Sequence, residues 1–303
     1  MKYWRVILRY AGLHLDQLFW ALDDGAGPYR LYSDQGRRAL SSLSLDIPRV
    51  DGPAQDLHAR MQRHQPSATV EVALSPFLPG QYHPRIFRPH NQPSAETTYE
   101  RVWLDSVSAG RNILFRLEDA FRIVEPRPQN DDSFGHELRH LLILACTEVE
   151  SACKSVLKAN AYSATSPNRW KTSDYVKLLG VLYLNEWELA LTRSPSYPRF
   201  KPFGGWNPSA PTTSLDWYDA YNRTKHDREN HLTDATLKRA IHAAGAAYVM
   251  VLAQFGQFGF AGERVREVDL FHVTATPRYG LEHHYIPPGI SRGTSWTPLN
   301  HPL

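Results

Sequence analysis

Cysteine is nearly absent from this chain: Cys146 and Cys153 are the only two. Both fall in one apolar, helix-like run, and seven residues of helix rise roughly 10.5 Å, too far for a disulfide between them. A disulfide framework is thereby excluded, and the two thiols read as small buried hydrophobes in a reducing compartment. A long uncharged apolar run is missing too. The first twenty residues, MKYWRVILRYAGLHLDQLFW, are apolar but broken by Arg5, Arg9, His14 and Asp16. Neither a signal peptide nor a membrane span is expected, and the chain reads as cytoplasmic, with no membrane partner. Charge of one sign is also lacking: 34 Lys and Arg stand against 31 Asp and Glu, a formal net charge of +3. Net charge alone does not announce a nucleic-acid binder, so any basic site has to be local. No internal repeat is found.

What is present is ample apolar material. Of the 303 residues, 42% are apolar and 12% aromatic, enough for one large core or two modest ones in a globular protein. The first part mixes short alternations with punctuation. TVEVAL (Thr69 to Leu74) has the period of a half-buried strand, YWRVILRY reads as another, and SPFLPGQYHPRIFRPHNQP is too rich in proline for a long helix. From Thr97 the spacing turns helical. Val102, Trp103, Val107, Ile113, Leu114, Leu117 and Phe121 predict a helix over Tyr99 to Val124, stopped by Pro126.

A second helix is predicted from an N-cap near Ser133 through HELRHLLILACTEVESACKSVLKAN, and a third from Ser173/Asp174 through YVKLLGVLYLNEWELAL. The loop SPSYPRFKPFGGWNPSAPTT follows, then a fourth helix near Ser214 (SLDWYDAYNRTKHDR) and a fifth, DATLKRAIHAAGAAYVMVLAQFG, apolar enough to be buried. The tail carries one strand-like piece, VDLFHVTA. The expected architecture is mainly α (α+β overall): a small β-containing module over 1–95, a four- to five-helix bundle over 96–260, and a C-terminal strand and irregular tail over 261–303.

Two motifs carry chemistry. HELRH, His136 to His140, puts two imidazoles at i and i+4 on one helix face around a glutamate, the spacing of zinc peptidases, in which Glu137 would activate a water. No HxxGxxH continuation follows, so a third ligand would have to be a distant acid such as Glu186 or Glu188. Arg139 inside the motif also raises the cost of bringing a dication there. The preferred reading is the polar start of a long helix with Leu138, Leu141, Leu142 and Ala145 as its inward stripe; a zinc peptidase using His136, Glu137 and His140 is the rival. No metal or other cofactor is expected. His283 and His284 lack further ligands and read as solvated.

The second motif is YNRTKHDR. Asp219, Asn222, Arg223, His226 and Asn230 share one stripe of the fourth helix, with Trp217, Tyr221, Lys225 and Arg228 on its flank. An imidazole beside a guanidinium suits acid–base chemistry at a phosphodiester: His226 to move a proton, a cation to hold phosphoryl charge. The competing reading is a structural hydrogen-bond network. The loop SYPRFKPFGGW, Ser196 to Trp206, offers either a base-stacking surface or irregular packing.

Taken together, LRHLLILACTEVESACKSVL, DWYDAYNRTKHDREN and the apolar helix after them, over roughly 97–259, resemble the HEPN superfamily (higher eukaryotes and prokaryotes nucleotide-binding). That resemblance implies an α-helical bundle, often a homodimer, and in many members a metal-independent ribonuclease of toxin–antitoxin or phage-defence systems. His226 and Asn222 match the family's histidine and polar residue. Tyr221 stands where the family has arginine, while Arg223 lies three residues before His226. Literal arginine–histidine spacings at Arg9/His14, Arg85/His90 and Arg278/His283 lie outside this helix. The resemblance implies either a ribonuclease with His226, Arg223 and Asn222 as catalytic residues, or a module that has lost cleavage and binds RNA, a nucleotide or a protein partner such as an antitoxin. Asp219, Tyr221, Lys225, Arg228 and, from the second helix, Glu148 and Glu150 would support or bind substrate.

Overall fold

The computed structural model describes residues 1–11, 16–25, 29–33, 55–89, 99–166, 169–256, 270–291 and 294–303. His14, His90, Thr97, Val268, Asp269 and the expected boundaries near 95 and 260 lie outside them. The chain forms two compact units, Met1–His83 with Arg88–Ser94 and Tyr279–Leu299, and Pro84–Phe87 with Ala95–Arg278 and Asn300–Leu303. The expected tail is thus divided between them.

The first unit is built on a four-stranded antiparallel sheet in the order β3-β2-β1-β4, from β1 (Lys2–Tyr10), β2 (Gln17–Asp23), β3 (Arg30–Ser33) and, after helix α1 (Gln55–His64), β4 (Ala68–Leu74). Tyr3 faces Leu22 and Val6 faces Phe19 across one ladder, and Val6 faces Val72 across the other. Strand β1 reads as a continuous apolar run because both its faces are covered. Trp4, Val6 and Leu8 pack with Leu57 and Met61 of α1. Tyr3 packs with Trp20, Phe77, Tyr285 and Ile286. Arg5 is fully buried in the middle of β1. Its guanidinium lies 4.8 Å from the Trp20 ring centroid and donates to His284 Nδ1 at 3.2 Å and to the Phe19 carbonyl. The expectation of a solvated His283/His284 pair is therefore corrected at His284, which is buried under the sheet. Strand β5 (Gln81–Tyr82) follows.

The second unit packs α2 (Tyr99–Phe121), α3 (His136–Ala159) and α8 (Leu237–Phe255) against one another, with α6 (Asp216–His226) on α3. Helix α3 starts at Gly135 with no side-chain cap, a little later than the expected Ser133. Helix α8 starts at Thr236, whose hydroxyl accepts the Arg239 N–H, and ends at Gly256, whose φ of 97° admits only glycine at ease. Inside α8, Gly245 has a packing reason: a Cβ there would lie 2.8 Å from the Phe200 ring.

The four- to five-helix bundle is overturned: the four-stranded antiparallel sheet makes the fold mixed α+β, and the third expected helix does not form. Its sequence gives two single turns, α4 (Thr172–Tyr175) and α5 (Leu178–Val181), and then strand β6 (Glu188–Leu191). Asp174 is fully buried and accepts from the Lys171 and Thr165 N–H groups and the Thr165 and Tyr162 hydroxyls, fixing a tight turn. Tyr183 takes a positive φ of 51°, which breaks the helix again. The run Trp187, Leu189, Leu191 is then buried as a strand that pairs with β7 (Phe271–Ala275), the strand expected in the tail.

The loop between β6 and α6 contributes Tyr197, Phe200, Phe203 and Trp206 to the core, so the base-stacking reading of SYPRFKPFGGW gives way to irregular packing. In the last stretch of the chain, β8 (Thr297–Pro298) pairs in parallel with β5. No helix among the described residues is long and apolar enough to cross a membrane. Both cysteines are free and buried, with burial pushing their thiols up.

Candidate functional site

Helix α6 buries Trp217, Tyr218, Ala220, Tyr221 and Thr224 and places Asp216 and Asp219 in its first turn and Arg223, Lys225 and His226 in its last, the arrangement its dipole favours. The Trp217 indole donates to the Pro202 carbonyl at 2.8 Å. Asp227 breaks the helix at φ −139° and its carboxylate accepts the Asn230 N–H, starting the single turn α7 (Arg228–His231).

The polar stripe resolves into two parts. Its middle is an ion network. Arg223 pairs with Asp219 one turn back and donates Nε to Asp234 at 2.8 Å. Asp234 also takes His231 Nδ1 at 3.0 Å and Arg239 Nη1 at 3.2 Å, and Arg239 binds Asp216 with two donors at 2.8 Å each. The Arg223 guanidinium holds the Asp234 carboxyl below the usual range, and Arg239 does the same to Asp216. Asn222 donates to the Tyr218 carbonyl at 3.0 Å, a bond within its own helix. Of the three expected catalytic residues, Arg223 and Asn222 are therefore engaged in holding α6 to the start of α8 and to itself.

The other part is the exposed end. His226 and Arg228 are exposed and make no hydrogen bond or ion pair among the described residues. Lys225 donates to the Tyr221 hydroxyl at 2.8 Å and lies 4.9 Å from that ring's centroid, which raises its pKa while its side chain remains at the surface. The start of α3 adjoins this end: Arg139 donates Nε to the Thr224 carbonyl at 3.1 Å. HELRH and TKHDR, 85 residues apart along the chain at this contact, thus meet in space. His136, Arg139 and His140 share one face of α3 by their i, i+3, i+4 spacing, and both histidines are exposed.

As a zinc site HELRH is incomplete. No group of three or more potential ligands is gathered among the described residues. Glu186 accepts the Arg278 N–H and Glu188 the Thr274 hydroxyl, so both candidate acids are held elsewhere, and Glu137 lies 3.5 Å from His140 Nδ1 in an exposed pair.

Glu150 does meet α6: it accepts the Tyr218 hydroxyl at 2.7 Å and pairs with Lys154 at 3.4 Å. Glu148 does not. Two residues of helix turn it about 200° from Glu150, and it faces α2 and α8 instead. Sequence reasoning missed Asp216, His231, Asp234 and Arg239; the acids Asp216 and Asp219 on the turns before Arg223 were the available signal. Compared with protein-family models, curated proteins and solved structures, the chain matches none of them.

Proposed function

We propose that the chain is an RNA- or nucleotide-directed protein that holds phosphate at the surface where the start of α3 meets the end of α6, in a reducing, cytoplasmic setting. The observation that carries this reading is the division of the α6 stripe. Arg223 is neutralised by two carboxylates, while Lys225, His226 and Arg228 stay exposed, and the Arg139–Thr224 contact brings the start of α3, with its exposed His136 and His140, to the same end of α6. Exposed cations and imidazoles with N–H donors suit phosphate oxygens. Removing one phosphate-binding cation lowers affinity across sequences and flattens the salt dependence by about one unit of slope. The resemblance to the HEPN superfamily over α3, α6 and α8 supports the same class of ligand.

A second reading, metal-independent RNA cleavage, is favoured by one observation: the His226 imidazole is exposed and unengaged, with Arg228 two residues on. It lacks a free guanidinium at Arg223. The test is titration of a labelled single-stranded RNA at several salt concentrations, with cleavage followed in the same samples. Binding that weakens with salt and weakens further in Arg228→Ala supports phosphate contacts; salt-independent binding, or none, overturns the proposal. Cleavage that disappears in His226→Ala selects the second reading.

A further inference from the structure

A cavity of about 310 Å³ lies among α2, α3 and α8, on the side of α3 away from α6. Each helix contributes one stripe at i, i+3, i+4 and i+7, as Glu148, Ser151, Ala152 and Ser155 do on α3. Small residues at such positions ordinarily bring helices into contact. Here they leave room of the size that small-molecule sites occupy.

Three charged groups line the cavity, Arg85 and the exposed Asp105 toward one end and Glu148 toward the other. At the first end, the contacts that aim Arg85 include Nε on Gln254 Oε1 at 2.7 Å, Nη2 on the Ser106 hydroxyl at 3.5 Å, and its guanidinium 5.5 Å from the Phe255 centroid. The neighbouring Pro84 carbonyl accepts the Asn160 side chain, which puts this end beside the last turn of α3. At the other end stands Glu148, half-buried, with no hydrogen bond or ion pair among the described residues; burial raises its pKa. Glu148 precedes Ser155 by seven residues, about 10 Å along the helix. Between the ends, the Ser151 and Ser155 hydroxyls face an apolar wall that includes Met250 and Val251.

We propose that this cavity is a binding site for a small elongated zwitterion, an ω-amino carboxylate in chemical class, with its ammonium at Glu148, its anionic group at Arg85 and its methylene chain along the wall. A partly desolvated carboxylate without a counter-ion is stabilised by an ammonium donor, and an oriented guanidinium by a carboxylate. The site is separate from the phosphate surface, so the two proposals stand or fall independently.

The experiment is calorimetric titration of the full chain with an ω-amino carboxylate series from 3-aminopropionate to 6-aminohexanoate, alongside butylamine and butyrate. Saturable binding of at least one member, at least tenfold tighter than either single-charge compound, is expected. Glu148→Gln should weaken it at least tenfold, and Ala109→Leu, which fills the cavity from α2, should abolish it with the melting temperature retained. No binding across the series, binding unchanged in Glu148→Gln, or butylamine binding as tightly as the zwitterions would each overturn the proposal.

Discussion

Glu148 and Glu150 sit two residues apart on one helix and meet opposite surroundings. Glu150 turns toward α6, where a buried tyrosine donates to it and Lys154 balances its charge. Glu148 turns into a cavity and keeps a raised pKa with no partner among the described residues. The same contrast runs along α6, where Arg223 is locked between two aspartates and His226, one turn later, is open. Residue type does not separate groups partnered by the fold from groups without a partner among the described residues; the side of the helix does. A polar group whose partners are supplied by the fold stabilises it, and one left unsatisfied is available to a ligand.

The sharpest way to break the contrast is at the locked side. Asp234 serves Arg223, Arg239 and His231 at once, so Asp234→Ala leaves Arg223 with Asp219 alone and Arg239 with Asp216 alone. A loss of about 3 kcal/mol in denaturant unfolding is expected, within the range for removing one member of a charged hydrogen-bonded group. A loss below about 0.5 kcal/mol would mean that the network is slack and Arg223 is free to act.

Acid supplies a second test. His242 is half-buried, stacks on Phe200 at 4.5 Å, and is lowered by desolvation to about 4. An unfolded histidine titrates near 6.5, so between about 6.5 and 4 the unfolded chain binds the extra proton and stability falls as pH falls, by roughly 3 kcal/mol in total. His242→Phe keeps the stack and should flatten this stretch of the profile. Asp234 and Asp216, with pKa values below the usual range, add stability above about pH 4 that is lost only further into acid, as pH falls through their folded values. A wild-type profile flat between pH 6.5 and 4 would contradict a desolvated, neutral His242 imidazole.

In the core, Gly245→Ala pushes a methyl into the Phe200 ring and should cost about 2 kcal/mol, read as a lowered melting temperature. The smallest effect belongs to the exposed motif. His136→Ala and His140→Ala should each change stability by less than about 0.5 kcal/mol, and protein purified without chelators should carry no zinc that depends on them. Stoichiometric zinc that disappears in His136→Ala would restore the peptidase reading.

Much of the fold was legible residue by residue. The alternation in TVEVAL marked β4, the 3.6-residue spacing marked α2 and α3, which bury one stripe each, and the nearly uncharged apolar run marked α8, which is buried on nearly all sides. The stretch from Tyr175 to Leu191 was misread because its apolar residues suit a helix or a buried strand equally, and only the burial of Asp174 and the pairing of β6 with β7 decide between them. Strands β2 and β3 were missed because QLFWALD and RLYS are short and lack clean alternation. At the site, the special character of α6 could be read from its own residues. Asp234 and Arg239 could not be tied to it, nor HELRH to TKHDR, since those contacts bridge separate elements and leave no local period.

Whether the joined ends of α3 and α6 hold phosphate while Arg223 holds the fold is decided by fluorescence anisotropy of a labelled single-stranded RNA with wild type, Arg228→Ala and Lys225→Ala over a range of salt. Salt-sensitive binding without cleavage is expected, weakened in both variants, with the slope against salt reduced by about one in Arg228→Ala. Affinity that ignores salt and both substitutions would refute the phosphate surface.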